Sequence, residues 1–402
     1  MGGFSLGVEQ AGFDVLVAVE SDPVHACAYK FNFPLTEVIC QDITKLSADT
    51  IRQAALKAWI AHYKTDLWDG QIDLVFGGPP CQGFSLMGKR LINDDRNHLV
   101  LEFCRLVLEL NPRYFVMENV PGMVAGKHKT WLNKLKNKFK HYGYHSRAQI
   151  LNAADFGVPQ RRKRLFFCGA QAGIRIYFPK PVAGNIVTVV DAIADLPDLD
   201  SFPELKTTDQ VLLSFEQLAQ AEQKISVYAQ TLRESDYFAY PRAWNPQLLT
   251  SSLQTQHNQT SIARFAATIA NQREPISQLR RLDLNGLCHT LRAGTGSDRG
   301  SHTSPRPIHP ILPRVISVRE AARLHSFPDW FRLHQTKWHG FRQVGNSVPP
   351  LLAQAVGKSI ITSLALTPVS PQMILTQGDL QLLRFEACHA KKYWLKDELK
   401  IF

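Results

Sequence analysis

The 402-residue chain has no stretch of about 18 consecutive apolar residues, the minimum for a helix crossing a bilayer. Its opening residues, MGGFSLGVEQ, have no basic region leading into an apolar one, so no secretory leader is expected. Leu6 stands where an N-myristoylation signal has Ser or Thr, which removes that anchor as well. No CxxC pair occurs. The seven cysteines (Cys27, Cys40, Cys81, Cys104, Cys168, Cys288, Cys388) are scattered and odd in number. That pattern argues against a disulfide framework and a zinc site, and for a reducing compartment, the cytoplasm. Acids are the scarcer charge: 35 Asp and Glu against 46 Lys and Arg leave a formal net charge of +11. Such a balance points to a polyanionic partner, most often nucleic acid, and on its own is equally the mark of a solvated basic surface.

Residues 13–180 alternate between short apolar runs and helical patterns. FDVLVAVES, EVICQDI, IDLVFGG, RYFVMEN and RLFFCGA lack strict polar alternation, as strands covered on both faces do. PVHACAYKFNF, TIRQAALKAWIAHY and NHLVLEFCRLVLEL lie between them; Leu99, Phe103, Leu106, Val107 and Leu110 share one face of the last. The alternation predicts an α/β fold with a doubly wound, mostly parallel sheet over residues 1–180. From 181 to 313 the chain is rich in Gln, Ser, Thr and Pro and reads as a smaller irregular domain. Helical pattern returns over 314–365, and 366–402 reads as an appended segment.

The stretch DLVFGGPPCQGFS holds the first sign of chemistry. A strand ends in two glycines and two prolines, and Cys81 follows at once. Gly77 and Gly78 permit close backbone approach, while Pro79 and Pro80 fix φ, so one thiol is held in a set geometry at the carboxyl edge of a sheet. A second run, YFVMENV, brings Glu118 to the same edge as a proton donor. In GVPQRRKRLFF, strand alternation puts Arg162 and Arg164 on one side.

These segments resemble the DNA (cytosine-5) methyltransferases: PCQ at Pro80–Gln82 is similar to the nucleophile motif, ENV at Glu118–Val120 to the acid motif, and QRRKR at Gln160–Arg164 to Q-x-R-x-R. GFSLGVEQAGF resembles the cofactor motif, and RVISVREAARLHSFPDWF with GFRQVGNSVPPLLAQAVG the two closing motifs, in the usual order over roughly residues 2–360. The resemblance implies a Rossmann-like methyltransferase using S-adenosylmethionine. Cys81 would add to cytosine C6, Glu118 would act at N3, and Arg164 with Arg162 would bind O2 and position Glu118. Gly3, Phe4, Leu6, Glu20, Asp42, Ile43, Pro80, Leu99, Asn346 and Ser347 would hold the cofactor, with no metal. Gln82, Ser85, Thr290, Leu291, Arg292 and Arg299 would meet double-stranded DNA, with residues 181–313 as the recognition domain. The expected partner is DNA alone, with the protein a monomer and a cognate restriction endonuclease acting on the same site without stable binding. Alternatives are an inactive DNA-binding relic and a tRNA methyltransferase.

In the family a first strand precedes a glycine turn, and this chain begins inside that turn, with Gly2 and Gly3 as its last glycines. Two readings follow: a start lying upstream of Met1, or a degenerate gene whose sheet lacks a central strand. A third is that MILTQGDLQLL in the tail supplies a replacement.

Overall fold

The computed structural model describes residues 2–80, 98–124, 128–184, 186–234, 239–294 and 306–398. The first half runs α1 (Gly3–Gln10), β1 (Val17–Val19), α2 (Pro23–Asn32), β2 (Glu37–Ile39), α3 (Ala48–Tyr63), β3 (Leu74–Gly77), α4 (His98–Leu110), β4 (Tyr114–Asn119), α5 (His128–His141), β5 (Tyr144–Asn152), β6 (Gln160–Arg161) and β7 (Lys163–Gln171). This is the expected α/β order. The main sheet has the order β3-β4-β7-β5, and β1–β2 form a separate parallel pair. Only β3–β4 is parallel in the main sheet; β7 runs antiparallel to both β4 and β5. Among the described residues β1 and β3 each pair on one side only. The tail does not fill either edge: Leu375–Thr376 pairs in parallel with Arg242–Ala243.

Each helix follows from its sequence. In α2, Asp22 caps the first turn through the N–H groups of Val24 and His25, and Pro23 takes the first helical position, where it costs no hydrogen bond. In α4, Val100, Phe103, Cys104, Leu106, Val107 and Leu110 are buried while Leu99 is half-buried. Gly2 has φ 84°, and α1 begins at Gly3. A Cβ on Gly7 would lie 2.4 Å from the Cβ of Ala353, so α1 and the helix Pro350–Leu364 touch backbone to backbone. The first and last resemblance motifs are therefore packed together.

Residues 181–313 have a small cluster of their own, Leu199, Phe202, Leu205, Leu213 and Leu249, and also share a larger one with the rest of the chain. Val189, Ile193, Tyr228, Leu282 and Leu291 share one buried cluster with Leu6, Tyr29 and Phe33 of the N-terminal half and with Phe327, Phe331 and Val344 of the closing motifs. Buried arginines seal this joint. Arg319 donates to the Thr250, Pro328 and Phe331 carbonyls, and Arg323 pairs with Asp195 and Asp329. The tail wraps α2: Trp394 Nε1 donates to the Pro23 carbonyl at 3.1 Å, and Leu382 and Leu383 share a core with Val24, Cys27 and Phe31.

Candidate active site

β3 delivers the GGPP turn, and β4 beside it delivers Glu118 one residue before its end. A Cβ on Gly78 would lie 3.0 Å from Glu118 Oε2, so the absence of a side chain there lets the carboxylate rest against the turn. Glu118 faces Phe166 of β7 in the ladder, which puts Arg164 on the diagonal and on the same face. Arg164 Nε reaches Glu118 Oε1 at 2.9 Å, with side chains 16% and 12% exposed. Asn119 Nδ2 donates to the Pro79 carbonyl at 3.4 Å and its Oδ1 accepts from Val120 N, tying the acid motif to the same turn. The exposed Pro80 leads directly to Cys81. Cys81, Gln82, Ser85 and Arg299 lie outside the described residues.

Alternation along Gln160–Arg164 holds: Gln160 and Arg162 are buried, Arg161 and Lys163 exposed. The Arg162 guanidinium turns away from the acid. It donates to the carbonyls of Leu291 (2.9 Å), Gly345 (3.0 Å) and Ser347 (2.8 Å), and burial pushes its pKa well below the ordinary value. Gln160 completes the lock, donating to the Leu324 carbonyl and accepting from Leu291 N. Cys288–His289 pairs in parallel with Gln160–Arg161, and Thr290 Oγ1 donates to the Arg161 carbonyl at 2.7 Å. A Cβ on Gly345 would lie 2.3 Å from the Arg292 carbonyl carbon, so only glycine lets these strands of chain cross. The Arg292 side chain is exposed.

The residues expected to hold a cofactor fall into two groups. Gly3 abuts Ser347 and Val348, and Phe4 packs on Phe76 of β3 at 4.8 Å, while the Leu6 side chain is wholly buried in the core. Asn346 is exposed at the end of its helix; Ser347 is buried and donates to the Gln343 carbonyl. The second group lies beyond β1 and β2. Glu20 follows β1 and accepts from Asp22 N at 3.1 Å. Asp42 follows β2, fully exposed, and the Thr44 N–H holds its carboxyl below the usual range, so it stays ionised. Ile43 is half-buried beside it. Carboxylate acceptors at the ends of two adjacent parallel strands suit the hydroxyls and amines of a nucleoside, so the donor set fits an adenosyl group. Sequence reasoning missed Arg105 of α4, which donates to the Ile43 and Leu46 carbonyls and anchors the Asp42–Ile43 loop. Nothing local signals that role, because its partners are backbone atoms 59 and 62 residues away.

The family model for C-5 cytosine-specific DNA methylases matches residues 1–362. The chain belongs to that family. The DNA methylase is 49% identical to the Type II methyltransferase M.XorII of Xanthomonas oryzae pv. oryzae, over 95% of this chain and 87% of that one. It is 34% identical to M1.HphI of Haemophilus parahaemolyticus, over 90% and 84%. Among solved structures, a DNA modification methyltransferase encoded within an E. coli prophage matches with TM-score 0.71 and 33% identity, over 90% of this methylase and 96% of that chain. Entamoeba histolytica EhMeth, 15% identical with TM-score 0.51 over 90% and 95%, shares the fold. No helix among the methylase's described residues is long and apolar enough to cross a membrane.

Proposed function

We propose that this methylase moves a methyl group from S-adenosylmethionine to C5 of a cytosine flipped out of duplex DNA, through a covalent Cys81 adduct, as the modification arm of a restriction-modification system. The observation that carries this reading is the Arg164–Glu118 pair lying against the GGPP turn that leads to Cys81. The Type II relatives support the biological setting.

Cytosine C5 is too weak a nucleophile to take a methyl group unaided. The Cys81 thiolate bonds to C6, while Glu118 holds a proton at N3 to take up the charge that addition pushes into the ring. Arg164 fixes the Glu118 carboxyl through one oxygen and leaves the other free for the base. Arg162, held by three carbonyls, acts as a positioning residue that fixes Ser347 and Leu291. When bound, the cofactor supplies an electrophilic sulfonium methyl. Glu20, Asp42, Ile43, Pro80, Leu99, Asn346, Ser347 and the Gly3–Leu6 turn would hold it. Loss of the C5 proton then expels Cys81. Flipping costs a few kcal/mol, offset by binding the base and the flanking phosphates.

The test is a trap. DNA carrying 5-fluorocytosine cannot lose a proton from C5, so the adduct persists. Wild-type protein with S-adenosylmethionine should give a denaturation-resistant protein–DNA band, and Cys81→Ser should give none while still binding DNA. A band from Cys81→Ser would remove the thiol from the mechanism.

A further inference from the structure

The outward face of the Gln160–Arg164 segment has no role in the chemistry above, yet it carries an organised charge. Arg161 and His289 are ladder partners in the short parallel pair, so their side chains lie side by side, both exposed. A pair of two arginines stands in the recognition region. Arg273 and Arg280 face each other across a hairpin. The flanking bonds run from Glu274 N to the Leu279 carbonyl and from Arg281 N to the Gln272 carbonyl. That leaves Arg273 and Arg280 as the non-hydrogen-bonded pair, the closer of the two kinds of antiparallel pair. Like charges placed directly opposite are destabilising. Among the described residues none of the three arginines has an acidic ion-pair partner.

Each of these residues has an inward neighbour that is clamped, and Arg280 also donates to the Asn271 carbonyl. Gln160 and Arg162 are locked beside Arg161, and Cys288 is buried beside His289. Glu274 is buried and accepts from Ile276 N and Ser277 N beside Arg273. Arg281 is buried and donates to the Phe265, Pro310 and Ile311 carbonyls beside Arg280. A like-charge group held in place by buried structure is one that an external counter-charge would stabilise.

We propose that Arg161, Arg273, Arg280 and His289 form one seat for consecutive backbone phosphates of duplex DNA, which sets the register of the helix over the site. The seat rests on the methyl-transfer reading and extends it to residues that make no contact with the reacting base. Two further observations agree. Burial and the charges of Arg280, Arg161 and Arg273 hold His289 below its ordinary pKa, which places all three within electrostatic reach of it. Arg161, Lys163 and Thr290 also line an open cleft of about 450 Å³, whose carboxylate, Asp155, already accepts from Asn152.

The experiment compares wild type, Arg161→Gln, Arg273→Gln/Arg280→Gln, the triple variant, and Lys224→Gln, an exposed lysine elsewhere in the recognition region. Dissociation constants for a 40-base-pair mixed-sequence duplex are measured across a range of KCl concentrations. Each phosphate no longer neutralised removes roughly 0.9 from the slope of log affinity against log salt. The triple variant should lose about 2–3 of slope and Lys224→Gln none, with kcat at saturating DNA within a factor of about two of wild type. Arg280→Lys, which keeps the charge, should retain the slope. An unchanged slope in the triple variant overturns the seat. Wild type that binds DNA but incorporates no methyl group from labelled cofactor would instead sink the methyl-transfer reading.

Discussion

The two walls of this site are built differently. The wall formed by Gln160–Arg164, Leu291 and Gly345–Ser347 is an interlock in which Gln160 and Arg162 are buried and donate to backbone carbonyls of other segments. The wall formed by β1, β2 and the Asp42–Ile43 loop consists of strands of three residues, none of them fully buried. Its side-chain anchors, such as Arg105 and the Glu37–Lys57 pair, are partly exposed. Chemistry at the base tolerates little displacement, so rigidity matters most there. A wall that only has to close around a ligand can draw part of its order from that ligand.

The sharpest way to break this contrast is at Arg162. Arg162→Met keeps the volume but strands the Leu291 and Gly345 carbonyls in a buried site, while the Ser347 carbonyl keeps His325 as a partner. With roughly 1–3 kcal/mol for each unsatisfied polar group, the loss should reach about 3 kcal/mol or more, read as a drop in urea midpoint. Arg162→Lys should recover little, because a point ammonium cannot span three carbonyls as a guanidinium fork does. A midpoint unchanged in Arg162→Met would show that the interlock does not hold the wall.

Acid should separate the walls next. His25 on α2 and His334 and His339 near the closing helix are each pushed by burial to about 4. Since the unfolded chain binds protons on these rings from about pH 6.5 downward and the folded chain does not, stability falls as pH drops from 6.5 towards 4. Asp22 partly offsets this at His25. His334→Gln should flatten that limb of the stability curve, and an equally steep limb in the variant would refute the assignment.

Much of this architecture was legible in the sequence, and the gaps have physical causes. The apolar runs marked β1 to β4 and β7, and the GGPP stretch marked the turn after β3, because strand burial and fixed φ leave local traces. The alternation rule set Arg162 and Arg164 on one side, and the resemblance to the family implied that Arg164 stands beside Glu118. The same rule placed Arg162 correctly on the inward face and could say nothing of its partners, which come from residues 291–347. Strand β5 escaped notice although Tyr144–Asn152 alternates roughly between covered and exposed positions, since its polar half reads as loop. The tail looked detached because its partners, α2 and Arg242–Ala243, are more than 130 residues away.

On the cofactor wall the effects should be smaller and of a different kind. Arg105→Ala frees the carbonyls of Ile43 and Leu46 at the surface, where water replaces the lost donor. Fold stability should change by about 1 kcal/mol or less, while the KM for S-adenosylmethionine rises roughly tenfold with kcat near its original value, the signature of lost uniform binding. A fall in kcat at constant KM would mean that the loop acts on the reacting atoms instead.

The mildest test sits beside it. Lys57 Nζ lies 2.6 Å from Glu37 Oε1, as short as many buried pairs, but the lysine side chain is 63% exposed. In water the Coulomb gain is nearly cancelled by desolvation and by the entropy of holding a long side chain, so Lys57→Ala should cost less than about 0.5 kcal/mol. The buried counterpart is Arg242 with Glu9, at 3.0 Å and almost fully enclosed. There Arg242→Leu would leave an uncompensated carboxylate inside the protein, at a cost of about 3–5 kcal/mol. Thermal melts of both variants at two salt concentrations decide the matter. If Lys57→Ala proved as damaging as Arg242→Leu, distance rather than burial would govern these pairs, and the small effects expected on the β1–β2 wall would lose their basis.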